Sequence, residues 1–237
     1  MKPWNDLLLL VVEGADGSGK KTQTDLLCQR LAASGRPLIR LDFPTYGRDP
    51  VADCIRHLLT KRKDEWIQRP WESKAMLYAS NRLREFSALE EVLVEGTIVV
   101  CNRYVPSNQA HMAAYHAHEK DWLGVFHWIE LLEYNSLRLP RPDIVLLLTM
   151  PRSRRSALLS ERERGALDAH EADAAYQDRV ETCFEALARD KPNIWRVIPA
   201  EVSGRLQRPG EIHERLWHVV ESHHTWQRFR EAFPPLP

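Results

Sequence analysis

Short unbroken apolar runs recur along this chain, separated by longer stretches in which apolar and polar residues alternate at helical spacing. The first run, Leu7 to Val12, ends at the glycine-rich turn that begins with Gly14. A strand covered on both faces has this pattern, because neither of its sides meets water. Pro37 to Asp42, Ile98 to Cys101, Ile144 to Leu148 and Trp195 to Ile198 read as four further strands. Gly96 introduces the third strand, while Pro140 to Asp143 opens the fourth and Pro151 closes it. Between Lys20 and Leu31 the leucines at 26, 27 and 31 share one side of a helix, which Gly35 terminates. The longest helical stretch runs roughly from Glu72 to Leu93. Strands alternating with helices build parallel β-α-β units with right-handed crossovers. The pattern therefore predicts a three-layer α/β fold, a five-stranded parallel sheet flanked by helices. No internal repeat or low-complexity linker divides residues 1–237, so a single domain is expected. The aromatic, proline-rich end from about His223 to Pro237 reads as an appendage to that fold.

Composition narrows the class. Hydrophobic residues make up 43% of the 237, enough for a substantial core. Lys plus Arg and Asp plus Glu each number 33, a balance that argues against a protein coating nucleic acid. Positive charge is nonetheless concentrated at Arg152, Arg154, Arg155, Arg162 and Arg164. Cys28, Cys54, Cys101 and Cys183 are widely spaced and form no C-x-x-C pair, as expected of separate reduced thiols in a cytoplasmic protein. The apolar run after Met1 is short beside the ~20 residues a membrane span needs, so a soluble protein with no membrane partner is expected.

The clearest chemistry follows the first strand. Gly14, four intervening residues, Gly19 and Lys20 have the spacing of a phosphate-binding loop, placed between a strand and a helix. Glycines let backbone N–H groups turn inward around phosphate oxygens, and the helix that follows presents its positive N-terminus. Gly14, Ala15, Asp16, Gly17, Ser18, Gly19, Lys20, Lys21 and Thr22 are thus the expected ATP-binding residues, with Lys20 reaching the β- and γ-phosphates. One position departs from the pattern. The usual Ser or Thr ligand of Mg²⁺ is Lys21, which has no lone pair to offer a metal, and Thr22 stands one place further on.

Four more motifs follow in order: Phe43-Pro44-Thr45-Tyr46-Gly47, Tyr78-Ala79-Ser80-Asn81-Arg82, Asn102-Arg103-Tyr104-Val105-Pro106-Ser107-Asn108-Gln109-Ala110, and Arg162-x-Arg164-Gly165-x-x-Asp168-x-His170-Glu171. With the phosphate loop, this series resembles thymidylate kinase from about Leu7 to Ile198. The resemblance implies a P-loop kinase fold, transfer of the γ-phosphate of ATP to dTMP with Mg²⁺, and a homodimer. It implies that Tyr78 stacks on thymine, that Arg82 bonds a base oxygen, and that Arg103 clamps the acceptor phosphate with its planar fork. Phe43 and Pro44 begin the acceptor-side loop, with Arg48 as a further phosphate contact. Ser107 and Asn108 match positions near the acceptor's sugar and phosphate. His111 takes the place of an aromatic that packs on the deoxyribose. Pro151 to about Glu171 corresponds to a lid over the ATP phosphates, where Arg155 and Arg164 are the expected suppliers of positive charge to the migrating group. Asp168 and Glu171 match acidic lid positions facing the acceptor.

Where the family has Asp-Arg-Tyr, this chain has Asn102-Arg103-Tyr104, and that Asp ordinarily helps hold Mg²⁺ and water. The nucleophile is a phosphate oxygen already ionised near neutral pH, so loss of one carboxylate is expected to weaken metal handling more than chemistry. Asp16 is then expected to carry more of the Mg²⁺ load, with Thr22 as the weaker candidate. Two other readings stay open at this point: a catalytically silent nucleotide-binding paralogue, and a kinase of dUMP or another monophosphate, since one methyl group gives only about 1–3 kcal/mol of discrimination.

Overall fold

The structure is a computed structural model that describes residues 3–155 and 173–234. Five parallel strands, β1 (Leu8–Glu13), β2 (Leu38–Asp42), β3 (Ile98–Asn102), β4 (Ile144–Thr149) and β5 (Trp195–Pro199), form one sheet in the order β2-β3-β1-β4-β5. The helices of the described residues are α1 (Lys20–Ala32), α2 (Pro50–Lys61), α3 (Lys63–Gln68), α4 (Trp71–Leu89), α5 (Val105–Ala113), α6 (Trp122–Glu130), α7 (Ala174–Asp190), α8 (Pro209–Ser222) and α9 (His224–Ala232). A π-helical stretch, Leu131–Ser136, continues α6. The predicted α/β architecture is present, with each strand within a residue or so of its predicted ends.

Side chains of a strand point alternately to its two faces, and β1 divides its residues accordingly. Leu9 and Val11 join a core with Val99, Cys101, Val145 and Leu147 beneath α4 to α7. Leu8, Leu10 and Val12 join Ile98, Val100, Leu146 and Leu148 beneath α1, α8 and α9. Burial on both faces is the physical reason for the unbroken apolar runs.

β1 lies at the centre, and the chain crosses to one side of it for β2 and β3 and to the other for β4 and β5. That reversal opens a crevice at the carboxyl ends of the strands, where sheets of this kind bind ligands. Register fixes what lines it. Asp42 is the partner of Asn102 across β2 and β3, and Val12 is the partner of Asn102 across β1 and β3.

The C-terminal end corrects the expectation of an appendage. Trp226 and Phe229 of α9 are buried in the second core, and Phe233 packs beside them. The Arg36 guanidinium donates to the Phe233 carbonyl at 2.8 Å. A Cβ added at Gly96 would lie 3.0 Å from Phe233 Cβ, so the segment fits a space that a glycine leaves. Residues 226, 229 and 233 are spaced as one helical face, and burying that face ties the end to the sheet layer. Trp226→Ala should therefore destabilise the whole domain by about 3–5 kcal/mol, the range for truncating a buried Trp. A chemical denaturation curve checks this, and an unchanged midpoint would show that α9 is dispensable.

Candidate active site

The phosphate loop spans the turn from β1 to α1, and its backbone accepts nothing but glycine at Gly14. There φ is +147°, and a Cβ would stand 2.4 Å from the Leu148 carbonyl oxygen. α1 has Gly19 as its cap residue and so no side-chain cap, which leaves its first N–H groups open to an anion. Ser18 is buried, and its hydroxyl has no partner among the described residues. Lys20 Nζ donates to the carbonyls of Gly14 (2.9 Å) and Ala15 (2.8 Å), which hold the ammonium over the loop. Uncapped amides, an unpartnered hydroxyl and a buried ammonium fit a chain of phosphates. Lys21 points elsewhere: its exposed ammonium pairs with Asp25 at 3.1 Å.

Asp16 joins this loop to the next part of the site. Its carboxylate lies 3.8 Å from Lys20 Nζ, is ion-paired with the Arg103 guanidinium, and accepts from Gln177 Nε2 at 3.2 Å. Burial alone would raise the Asp16 pKa, but the charges of Arg103 and Lys20 outweigh it and hold the carboxyl well below the usual range. Lys20 shifts the other way: burial, assisted by Arg103, lowers its pKa to about 7 despite the nearby Asp16.

Arg103 follows β3 with φ +66°, a left-handed backbone that costs a non-glycine residue about 1–3 kcal/mol. Its N–H donates to the Val12 carbonyl at 3.0 Å, which fixes the turn. Glu13, at the end of β1, secures the following residues. The Glu13 carboxylate accepts from the N–H of Tyr104 (2.8 Å), the N–H of Ser107 (3.0 Å) and the Ser107 hydroxyl (2.6 Å). It thereby caps α5, whose own cap residue Tyr104 provides no side-chain bond. Glu13 is fully buried, and burial raises its pKa against the opposing effects of Ser107 and Arg103. Sequence reading missed it, since a carboxylate ending an apolar run gives no sign of what it reaches.

His111, one turn along α5, touches Arg103 Nη1 through Nε2 at 3.3 Å and the Tyr176 hydroxyl through Nδ1 at 3.1 Å. Arginine only donates, so Nε2 accepts and Nδ1 carries the proton. The Tyr176 hydroxyl then donates to the His111 carbonyl at 3.0 Å, completing a consistent chain.

Beside Arg103 opens a cavity of about 310 Å³, bordered by Asp16, Asp42, Phe43, Pro44, Tyr46, Tyr78, Arg82, Asn102, Ser107, Asn108 and His111. Most of the predicted acceptor residues thus converge. The acceptor-side loop is held to α4 by Asn81, which donates to Thr45 Oγ1 and Asp49 Oδ2, both at 2.7 Å. Arg48 does not border the cavity; its exposed guanidinium stands 4.0 Å from Glu85. Asn108 belongs with Arg82 rather than with Ser107, because both bond to Glu133 on the π-helical stretch. The Asn102 side-chain NH₂ donates to Asp42 Oδ1 at 2.8 Å, and its side-chain oxygen Oδ1 is buried without a partner among the described residues. Asp42 is in turn held by Arg40, which also pairs with Asp25, the partner of Lys21. The two positions that depart from the family pattern stand at opposite ends of one ionic chain.

Arg155 is buried, donating to the Met150 carbonyl at 3.0 Å and to Glu181 at 2.6 Å, and it does not border the cavity. Thr22 lies in the first turn of α1, also outside the cavity border. Arg162, Arg164, Asp168 and Glu171 fall outside the described residues.

A central strand, a glycine loop, a lysine at a helix N-terminus and an arginine-lined cavity beside them define a P-loop phosphotransferase acting on small phosphorylated molecules. The thymidylate kinase family matches residues 12–208, and the chain belongs to that family. It is 31% identical over 209 residues to the thymidylate kinase of Mycobacterium tuberculosis, covering 84% of this chain and 95% of that protein. It is 29% identical over 197 residues to the human thymidylate kinase, covering 82% and 83% of the two chains. The thymidylate kinase of Candida albicans shares the fold, with a TM-score of 0.70 at 22% identity over 91% of each chain.

Lys20 supplies a test of the loop. With a pKa of about 7 it is largely neutral somewhat above that pH in the free protein, and a bound polyphosphate restores its charge. Nucleotide binding should therefore take up protons near and above neutral pH, more at pH 8 than at pH 6. Calorimetry in buffers of different ionisation enthalpy measures the number. Uptake near zero, or uptake unchanged in Lys20→Met, would contradict the assignment.

Proposed function

We propose that this protein transfers the γ-phosphoryl group of ATP to dTMP, with Mg²⁺, and that it works as a homodimer. The observation that carries the reading is the pair of cations, Lys20 and Arg103, on either side of Asp16. One belongs to the loop built for a polyphosphate, the other to the cavity built for a monophosphate and its base. The gap between them is the path of the transferred group.

The residues of the chain divide the work. Lys20 and the open amides of α1 hold the donor's phosphates. Arg103 turns its guanidinium toward the acceptor phosphate and trades its pairing with Asp16 for that ligand. The acceptor oxygen is ionised near neutral pH and needs no general base, so positioning and charge neutralisation supply the catalysis. Mg²⁺, when bound, neutralises charge on the transferring phosphates. Among the described residues no three His, Cys, Asp or Glu side chains are grouped to hold a metal. Asp16 is the carboxylate, and Thr22 the hydroxyl, that would hold Mg²⁺ beside the phosphates. Asn102 contributes a carbonyl oxygen where the family has a carboxylate. Arg155 and Arg164 remain the proposed lid cations, and Asp168 and Glu171 the proposed acidic lid residues.

Tyr78 and Phe43 border the cavity as faces for a planar base, and His111 borders the sugar region. Support for a homodimer comes from exposed apolar side chains on adjoining helices: Met76 on α4 and Leu123 on α6, 55% and 66% exposed. A reducing, cytoplasmic setting accords with four free cysteines. No helix among the described residues is long and apolar enough to cross a membrane.

A coupled assay of ADP release with dTMP, dUMP, dCMP and dGMP, at low and saturating Mg²⁺, tests the proposal. dTMP should be the best acceptor, dUMP a slower one by about tenfold or more for one missing methyl, and the purine nucleotide dGMP inert. Turnover should rise with Mg²⁺ into the millimolar range. Tight ATP binding without turnover of any acceptor would instead favour a silent paralogue.

A further inference from the structure

Behind two residues of the acceptor cavity, Arg82 and Asn108, lies a buried carboxylate that does not itself border it. Glu133 is fully buried, and three donors converge on it. Arg82 meets it in parallel, Nε on Oε2 at 2.5 Å and Nη2 on Oε1 at 2.6 Å. Asn108 Nδ2 donates to Oε1 at 2.7 Å and also to the Ala75 carbonyl at 3.1 Å. The remaining atom of that amide, Asn108 Oδ1, is buried and without a partner among the described residues. Arg82 and Asn108 both border the cavity.

A carboxylate accepts and never donates, so the atom that Asn108 turns toward Glu133 must be its NH₂. The Asn108 side-chain oxygen is then obliged to face away from Glu133, and Arg82, whose Nε and Nη2 are on the carboxylate, borders the same cavity with Nη1 left to serve it. The result is a fixed order, donor then acceptor, in a buried place where an unmatched polar group is costly. A base edge that offers a carbonyl next to a ring N–H matches this order. One that offers an amino group next to a bare ring nitrogen opposes it at both atoms.

We infer that Glu133 is a positioning residue for specificity: by setting the orientation of Asn108 and the reach of Arg82 it makes the cavity select a keto, N–H base edge over an amino, imine-type edge. This rests on the reading of the cavity as the site of a pyrimidine monophosphate. Glutamine at 133 would weaken the rule: its amide offers an N–H that Asn108 can accept, leaving the Ala75 carbonyl as the one acceptor that still holds the Asn108 NH₂ out of the cavity. Aspartate at 133 keeps an acceptor-only group at greater distance, so it keeps the rule and loosens the grip.

The test compares kcat/KM for dTMP and dCMP in the wild-type protein, Glu133→Gln and Glu133→Asp. In the wild type dTMP should be preferred by about a hundredfold or more, since a site built on hydrogen bonds rejects a mismatched edge strongly. Glu133→Gln should narrow that ratio about tenfold or more, chiefly through KM, while Glu133→Asp lowers both values and leaves the ratio within about threefold of the wild type. A ratio unchanged in Glu133→Gln, with both substrates slowed alike, would mean that Glu133 is merely structural. A wild-type protein that uses neither pyrimidine would instead overturn the underlying reading of the cavity. Should Glu133→Gln fail to fold, isotope-edited NMR of the wild-type protein decides: the Asn108 NH₂ protons should stay bonded to the carboxylate when dTMP binds. Their transfer to the base would overturn the inference.

Discussion

Asp16 stands between two cations that serve different ligands, and the site depends on that one shared carboxylate. Lys20 belongs to the phosphate loop after β1, Arg103 to the turn after β3, and the adjacent pairing of these strands in the sheet brings the two within reach of a single side chain. Burying two positive charges side by side without a counter-charge would be prohibitive, and burial with Arg103 nearby lowers the Lys20 pKa even with Asp16 present. A carboxylate held ionised by its neighbours solves this in the absence of ligand. In the proposed function, arriving phosphates replace Asp16 as the counter-charge.

The same economy of carboxylates runs through the rest of the site. Glu13 caps α5 from a different strand and so fixes the turn that carries Arg103. Glu133 holds Arg82 and Asn108 at the base end of the cavity. Asp42 receives the amide of Asn102, so the negative charge missing from position 102 is present one strand away, in register. Asn102 and Asp42 thus form an acid–amide pair where two carboxylates would repel, and Arg40 and Asp25 extend that pairing to Lys21. The two departures from the family pattern are parts of one charge arrangement on the β2 side of the site.

Much of this was legible in the residues, and the limits of legibility have physical causes. The strands were readable because burial on both faces forces runs such as Leu7 to Val12 to be apolar throughout. The phosphate loop was readable because its demands are local, a tight turn followed by a lysine on a helix. Tyr78, Arg82 and Arg103 came from motif resemblance and do meet at one cavity. Glu13 and Glu133 were invisible because their partners lie 91 and 51 residues away in the chain, and only the packed sheet and the π-helical stretch bring them together. Arg48 neighbours Phe43 and Pro44 in the chain, but its exposed guanidinium lies toward Glu85 and away from the cavity border. α9 was misread because its polar residues and the prolines beyond it masked a helical face whose apolar members are only Trp226, Phe229 and Phe233.

The affinity of Asp16→Asn for dTMP in the absence of divalent metal tests the shared counter-charge most directly. In the wild-type protein an incoming phosphate must displace Asp16 from Arg103, and in the variant that competition is gone. The account predicts binding tighter by about threefold or more, measured by calorimetry with a chelator present, even as metal-dependent turnover falls. Affinity that is unchanged or weaker in Asp16→Asn would contradict it.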